Sequence, residues 1–271
     1  MSNNNGIVAG VDIGSTTAKA VVLKDGEIVG GLIGPTGTNP AMAGKKILGK
    51  VVSEAGFADS DIKYIVATGY GRISAPFADK TITEITCHGR GAHHISPAIR
   101  TVIDIGGQDA KIVSLGENGK VIDFVMNDKC ASGTGRFLES SAQLVLNVPL
   151  EDLGELSLKA TDTCKISNTC TVFAQTEMIS LLAAGESKEN VIAGLHSSIA
   201  NRVIGMSKRV GAKPVIMMTG GVAKNRGVIQ ALERQLNSEV IVPSNIDPQL
   251  VGALGAALIA NEIFKDGKGR G

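Results

Sequence analysis

Two aspartates in this chain occupy the same place in the same local pattern, a run of apolar residues that leads into a glycine turn. Asp12 lies in such a run just before Gly14, and Asp104 lies in another just before Gly106. A buried strand of this kind carries a carboxylate to its end, and the glycine that follows leaves backbone amides open to a phosphate. One such turn is common. Two copies about ninety residues apart predict two similar halves that face one nucleotide.

The first turn offers further ligands for a phosphorylated molecule. Backbone amides and hydroxyls are predicted to hold phosphate oxygens there, and a lysine adds a positive charge; these residues are Gly14, Ser15, Thr16 and Lys19. The carboxylates of Asp12 and Asp104 suit Mg²⁺, mostly through its water shell, because magnesium dehydrates reluctantly. The first turn and the two aspartates together therefore predict a site for Mg²⁺ and phosphate.

The second turn predicts the chemistry of hydrolysis. Gly106 and Gly107 are expected to bracket the terminal phosphate, and Gln108 to orient the attacking water. A third glycine turn, at Gly220 and Gly221, is expected to let the sugar and base of the nucleotide pack against backbone. Asn225 follows it, and we expect it either to bind the ribose or only to cap the next helix.

Composition excludes several classes of function. The 271 residues are 43% apolar and 20% charged, with a net charge of +1, so nothing favours nucleic acid or an anionic membrane as a partner. No apolar run reaches the roughly 18 residues of a membrane span, and the first six residues do not resemble a signal peptide. We expect a cytoplasmic protein whose four cysteines are not in disulfides.

The pattern of strand, turn, strand, turn and strand followed by helices occurs twice. Strands are predicted at 6–13, 18–23, 27–32, 64–68, 102–105, 111–115, 121–126, 214–219 and 240–242. Helices are predicted at 41–54, 133–146, 171–184, 191–210 and 249–261. We expect a first domain over 1–100, completed by a C-terminal helix within 249–271, and a second domain over 101–248.

One group of metal-binding residue types is interpreted as structural. Cys87, His88, His93 and His94 lie close together in the sequence, but their spacing does not bring four ligands to one point. The segment is better explained as a helix with a polar surface and one buried thiol.

Three motifs together resemble the phosphate and adenosine motifs of the acetate kinase, sugar kinase, heat-shock ATPase and actin superfamily. They are Asp12-Ile-Gly-Ser-Thr16, Asp104-Ile-Gly-Gly-Gln108 and Thr219-Gly-Gly-Val-Ala223. The resemblance implies an α/β fold of two similar domains with a nucleotide cleft between them. It also adds Ala223 to the residues expected to bind the nucleotide.

Two further segments resemble the cluster-binding segments of the ATP-dependent activators of 2-hydroxyacyl-CoA dehydratases. These segments are Met126–Leu138 and Ile166–Glu177, and the resemblance extends over nearly the whole chain. The activators form one family with the ATPase subunits of benzoyl-CoA reductase and the reductases of double-cubane cluster proteins.

This family resemblance implies a homodimer with one bridging 4Fe-4S cluster, to which each chain contributes Cys130 and Cys170. Both cysteines precede predicted helices, where the dipole and free amides favour a thiolate. Cys164, close to Cys170, departs from the family pattern and leaves open which of the two thiols binds iron. Cys87 is interpreted as structural.

The function implied is an anaerobic, ATP-driven transfer of one electron. Ferredoxin or flavodoxin would reduce the cluster, and ATP binding would close the domains. The electron would then pass to a 2-hydroxyacyl-CoA dehydratase or a double-cubane cluster protein, with ADP left after hydrolysis.

Two other classes of function remain open at this point. A sugar or small-metabolite kinase would use Asn127 and Asp128 to bind substrate, with Asp128 as the base that takes a hydroxyl proton. An actin-like or chaperone ATPase would form filaments or bind peptides. Neither explains cysteines at two predicted helix starts.

Overall fold

The computed structural model describes residues 6–268, which group into two compact units. Unit 1 takes in the described residues of 1–98, 115–121 and 244–271, and unit 2 takes in 99–114 and 122–243. The strands are β1 (Ile7–Ile13), β2 (Thr17–Lys24), β3 (Glu27–Pro35), β4 (Ile62–Thr68), β5 (Lys80–Thr81), β6 (Thr101–Ile105), β7 (Ala110–Leu115), β8 (Val121–Asn127), β9 (Ile216–Thr219) and β10 (Val240–Ile241). The helices are α1 (Pro40–Glu54), α2 (Glu84–Ile95), α3 (Gly135–Ser141), α4 (Leu153–Leu158), α5 (Thr171–Ala183), α6 (Lys188–Arg209), α7 (Arg226–Leu236) and α8 (Val251–Ile263).

The sheet of unit 1 has the order β3-β2-β1-β4-β5. β1 pairs antiparallel with β2 and parallel with β4, so that Asp12 lies opposite Lys19 on one side and Thr68 on the other. Every residue of β1 is buried, as expected for a central strand covered on both faces. Apolar residues of α1 pack on one face of the sheet, and α8 packs on the other.

Small residues allow α8 to approach the sheet and α2 closely. A Cβ at Gly10 of β1 would collide with the backbone of Ala253 and Ala257, and one at Gly255 would collide with the Cys87 carbonyl. The glycine- and alanine-rich sequence of α8 therefore reflects tight backbone packing in the core of unit 1. This explains the helix predicted over 249–261; residues 269–271 of the expected C-terminal segment lie outside the described residues.

The sheet of unit 2 has the order β10-β9-β6-β7-β8. Written from its other edge, as β8-β7-β6-β9-β10, it matches the unit 1 order, and β6 takes the place of β1. β6 pairs antiparallel with β7 and parallel with β9, so that Asp104 lies opposite Lys111 and Thr219. The core packs α6 and α7 against this sheet. The two units therefore repeat one topology, and the two aspartates occupy equivalent positions in it.

The two units differ most after their third strand. In unit 1 only residues 36–39 separate β3 from α1, whereas in unit 2 residues 128–187 separate β8 from the long helix α6. This inserted segment contains α3, α4 and α5, and it carries Cys130, Cys164 and Cys170. The helix predicted over 133–146 is α3 followed by a wider helical turn over 142–146, and the short α4 was not predicted.

Among the described residues, no helix is both long and apolar enough to cross a membrane.

Candidate functional site

Asp12 is buried at the end of β1, where the next strand supplies a counter-charge. The Lys19 Nζ lies 3.2 Å from Asp12 Oδ2, a contact set by the antiparallel register of β1 and β2. The lysine predicted to act on phosphate is thus paired with the predicted magnesium carboxylate. A carboxylate already held by an ammonium suits an indirect contact with Mg²⁺ through water better than direct ligation.

The turn after Asp12 is closed by its own backbone. The Gly14 amide donates to the Thr17 carbonyl at 3.0 Å, and the Thr36 hydroxyl donates to the Gly14 carbonyl at 2.8 Å. The Ser15 and Thr16 side chains stay exposed. These contacts fix the turn while leaving two hydroxyls accessible to a ligand.

A second glycine turn of unit 1 touches Asp12 and was not among the predicted site residues. Gly69 follows β4 with φ 82° and ψ 179°, a conformation that is open almost only to glycine. A Cβ at Gly69 would collide with Asp12 Oδ1 and the Ile13 carbonyl. The turn is therefore pressed against the end of β1, which requires glycine at this position.

Asp104 has a denser set of partners in unit 2. The Lys111 Nζ lies 3.1 Å from Asp104 Oδ2 and 2.7 Å from Asp109 Oδ2, and the Thr219 hydroxyl donates to Asp104 Oδ1 at 2.8 Å. Asp104 is 3% exposed and Lys111 is 4% exposed. Both oxygens of Asp104 are thus engaged by buried groups, which again favours an indirect magnesium contact.

The second phosphate turn is joined to helix α3. The amide of Gly135 donates to the Gly106 carbonyl at 2.9 Å, and the amide of Arg136 donates to the Gly107 carbonyl at 2.8 Å. The first amides of a helix have no partner within the helix, so this turn satisfies two of them. Gln108 is exposed, as its predicted role toward a water molecule requires.

The third predicted turn repeats the conformation of Gly69. Gly220 follows β9 with φ 83° and ψ 178°, and a Cβ there would collide with the Ile105 carbonyl and lie 2.9 Å from Asp104 Oδ1. Gly221 is exposed, whereas Ala223 is buried. The structure thus brings Gly220 against Asp104.

Asn225 caps helix α7, which is one of the two roles expected for it. Its Oδ1 accepts from the Val228 amide at 3.1 Å, which fixes the orientation of the side-chain amide. Its Nδ2 lies 3.3 Å from His196 Nε2, so the histidine accepts at this nitrogen. Burial lowers the pKa of His196 from 6.5 to about 3, and the ring is therefore neutral at physiological pH.

The two predicted cluster cysteines lie in loops that are hydrogen-bonded to each other. The Ser132 hydroxyl donates to the Asn168 carbonyl at 2.7 Å. Ser132 lies two residues after Cys130, and Asn168 lies two residues before Cys170. Asn127 donates from its side chain to the carbonyls of Cys130 at 2.9 Å and Ser132 at 3.1 Å. These contacts hold the Cys130 loop against the Cys170 loop. They also engage the side-chain amide of Asn127, which a kinase would need to bind its substrate.

The four thiols differ in environment. Cys130 and Cys170 are both partly exposed, and Cys170 is the residue immediately before α5. Burial and the neighbouring carboxylates of Glu186 and Asp162 raise the pKa of the Cys164 thiol. Burial raises the pKa of Cys87 to about 12, in agreement with its interpretation as structural.

The group around Cys87 does not form a metal site within residues 6–268, where no three side chains of His, Cys, Asp or Glu converge on one point. His88 is buried beside α8, where a Cβ at Gly252 would meet its ring, while His94 is exposed. The segment was expected to be a helix with a polar surface and one buried thiol, and this was wrong for His88, which is buried because α8 covers that face of α2.

The residues of these sites that sequence reasoning missed include Gly69, Lys111, Ser132 and His196. Lys111 left a signal, since it follows Asp104 by the same seven residues that separate Lys19 from Asp12.

Comparisons with known proteins agree with this geometry. Residues 9–260 match the family described as the BadF/BadG/BcrA/BcrD ATPase family. The chain is 50% identical over 254 residues to the "Activator of lactoyl-CoA dehydratase" of Anaerotignum propionicum, covering 93% of this chain and 96% of that protein.

Solved structures give the same result. The 2-hydroxyisocaproyl-CoA dehydratase activator from Clostridium difficile with bound ADPNP matches at TM-score 0.90 and 46% identity, covering 97% of each chain. Component A of the Acidaminococcus fermentans (R)-2-hydroxyglutaryl-CoA dehydratase matches at TM-score 0.91 and 45% identity, covering 96% of this chain and 99% of that chain. A ROK hexokinase from Thermus thermophilus matches at TM-score 0.54 and 18% identity, covering 96% of this chain and 99% of that chain, and shows the fold alone. The predicted actin-like and sugar-kinase ATPase fold is confirmed.

Proposed function

Because this chain belongs to the BadF/BadG/BcrA/BcrD ATPase family, we propose that it couples ATP hydrolysis to one-electron transfer onto a 2-hydroxyacyl-CoA dehydratase. The observation that carries this proposal is the pair of hydrogen-bonded cysteine loops, which the second ATPase unit contains and the first lacks. Ferredoxin or flavodoxin would be the electron donor. A double-cubane cluster protein is the alternative acceptor.

The nucleotide is assigned to the two aspartate turns and the turn at Gly220. The exposed Ser15 and Thr16 would bind phosphate oxygens, and Gln108 would orient the attacking water. Asp12 and Asp104 would hold Mg²⁺ through its water shell, since each is already paired with a lysine. The side chain of Asn225 is held in place by His196 and Val228. It would meet the ribose from this fixed position at the start of α7.

The thiols fit a 4Fe-4S cluster shared by two chains. Cys130 and Cys170 are partly exposed and lie in the two loops that the hydrogen bond from Ser132 to Asn168 joins, whereas Cys87 is fully buried. Two cysteines from each of two chains would supply the four ligands that the cluster needs. When bound, the cluster would supply one-electron chemistry at low potential. The free amides at the start of α5 would offset its negative charge beside Cys170.

The surface of α5 supports a homodimer. Val172 and Phe173 are each 63% exposed and Ile179 is 55% exposed, so this helix presents apolar side chains on its outer face directly after Cys170. A group of large apolar side chains exposed on one helix is typical of a surface that a protein partner covers. A second copy of the chain covering α5 would bury these residues and bring two further cysteines to the same place.

The structure suggests how unit 2 would link its phosphate turn to its cysteine loop. The carbonyls of Gly106 and Gly107 accept from the first amides of α3, and the Cys130 loop leads directly into that helix. A movement of this turn when it gains or loses a terminal phosphate would therefore displace α3. The Ser132 contact would pass that displacement to the Cys170 loop.

Anaerobic reconstitution with iron and sulfide tests the proposal. We expect a brown dimer with visible absorption that dithionite bleaches, and we expect Cys170→Ala to abolish iron binding while nucleotide binding persists. Cys164→Ala is the matched control and should retain iron. A colourless monomer with sugar-stimulated ATP turnover would refute the proposal in favour of the kinase, and iron retained by Cys170→Ala but lost by Cys164→Ala would move the ligand to Cys164.

A further inference from the structure

A groove in unit 2 lies between the end of edge strand β8 and the C-terminal half of α6. It encloses a cavity of about 350 Å³, lined from β8 by residues 125–127 and from α6 by Arg202, Gly205, Met206 and Arg209. A volume of this size is within the range of ligand-binding cavities. We call it the β8–α6 groove.

Two arginines of α6 line this groove. Arg202 and Arg209 are seven residues apart on α6, so they share one face of the helix and are separated by about 10.5 Å along its axis. Gly205 lies between them, exposed and with no atom within 4 Å of the place where a Cβ would stand. The missing side chain leaves the floor of the groove open between the two guanidinium groups.

The groove has no counter-charge of its own. No carboxylate lines it, and within residues 6–268 neither Arg202 nor Arg209 forms an ion pair. Guanidinium groups bind carboxylates and phosphates through paired hydrogen bonds. The groove is therefore complementary to a ligand that carries negative charge at two points.

The neighbouring surface indicates that this ligand belongs to a protein. Ile122, Phe124 and Met126 alternate along β8 and are 67%, 50% and 38% exposed, which gives an exposed apolar row on the edge strand whose last member, Met126, lines the groove. A contiguous exposed apolar patch next to charged groups is typical of protein interfaces, and an edge strand is a ready place for docking. A free inorganic anion would not need this row.

The groove is also continuous with the cysteine loops. Asn127, which lines it, donates to the Cys130 carbonyl, and the aliphatic stem of Arg202 packs against Gly133 in the same loop. A protein seated in the groove would thus contact the segment that carries Cys130.

We propose that the β8–α6 groove binds an acidic segment of the protein that accepts the electron. This inference rests on the proposed function. It assigns the apolar surface of α5 to the second copy of the chain and the arginine groove to the electron acceptor, so the two surfaces have different partners.

The test uses the full chain loaded with its cluster, and lactoyl-CoA dehydratase as the probe. Binding is measured anaerobically by biolayer interferometry at low and high salt for Arg202→Gln/Arg209→Gln and for Gly205→Leu, which fills the groove without changing charge. Lys208→Gln is the control, since it removes a positive charge from the same helix outside the groove. We expect both groove variants to bind at least about tenfold more weakly, and the double arginine variant also to lose most of its salt dependence. The control should bind as the wild type does.

The other outcomes overturn the inference. If both groove variants bind and activate the dehydratase like the wild type, the groove is not the docking site while the proposed function stands. If they become monomers on size-exclusion chromatography, a second copy occupies the groove. If inorganic phosphate binds through the arginines but the variants still bind the dehydratase, the groove is a small-anion site. A wild-type protein that neither takes up iron nor activates the dehydratase refutes the proposed function together with this inference.

Discussion

Replacing Lys111 by methionine tests whether the buried ion pair of unit 2 stabilises the site as its geometry implies. The change removes an ammonium that lies 3.1 Å from Asp104 and 2.7 Å from Asp109, and it keeps a side chain of similar length. Removing one partner of a buried pair costs about 3–5 kcal/mol, because a charge is left in a poorly solvated position. The Asp109 side chain is 26% exposed and can be hydrated, so we expect the lower end, about 3 kcal/mol.

Urea unfolding at neutral pH measures this loss, and unit 1 supplies the comparison. Lys19→Met removes the equivalent lysine, which contacts one carboxylate and has a side chain 13% exposed, so its cost should be smaller, about 1–2 kcal/mol.

A double variant separates charge from packing. In Asp104→Asn/Lys111→Met neither charge remains, and the asparagine oxygen can still accept from the Thr219 hydroxyl. We expect this variant to be more stable than Lys111→Met alone. If the double variant is no more stable, or if Lys111→Met costs less than Lys19→Met, the assignment of a buried, charge-dominated contact to Asp104 is wrong.

Three further predictions follow from local geometry. His196→Gln should flatten the pH dependence of the free energy of unfolding. Burial lowers the pKa of His196 to about 3, so the unfolded chain binds the proton first, and the wild type should lose about 2 kcal/mol of stability between pH 6.5 and 5. Urea titrations at several pH values measure this loss. Gly220→Ala should lower the free energy of unfolding by about 3 kcal/mol or more, because its Cβ would collide with the Ile105 carbonyl. Gly185→Ala is the control: this residue also has positive φ but no neighbour within 4 Å, so its cost should be about 1 kcal/mol. Thermal unfolding measures both. Phe173→Asp should yield a monomer in mass photometry if α5 is the dimer surface, and a persistent dimer would place that surface elsewhere.

The elements that carry the aspartates were predictable because each depends on local sequence. The strands of both sheets, except the two-residue β5, followed from apolar runs, and α6 followed from its apolar stripe. Lys111 was within reach of the same reasoning. A lysine seven residues after the aspartate occurs in both halves, and the hairpin register places both lysines opposite their aspartates.

The contacts that organise the cysteine loops were beyond such reasoning. Ser132 and Asn168 are 36 residues apart, and Asn225 and His196 are 29 apart, so each contact depends on how separate segments pack. A helix cap was one of the two roles that the sequence predicted for Asn225, and it could be foreseen because a cap is a local contact. No sequence pattern indicated that a buried histidine holds the other end of the same amide.

The repeat within the chain shows where unit 2 departs from unit 1. Both units keep the aspartate, its lysine partner and a glycine turn at φ 82–83°, so the parts predicted to bind nucleotide are constrained in each copy. The connection after the third strand is not constrained in this way: it is four residues in unit 1 and sixty in unit 2. All three cysteines outside α2 lie in the longer connection, and that connection is joined to the phosphate turn by the first amides of α3. An insertion at this point leaves the sheet of unit 2 intact and yet remains in contact with its phosphate turn, which is what coupling between nucleotide and cysteine loops requires.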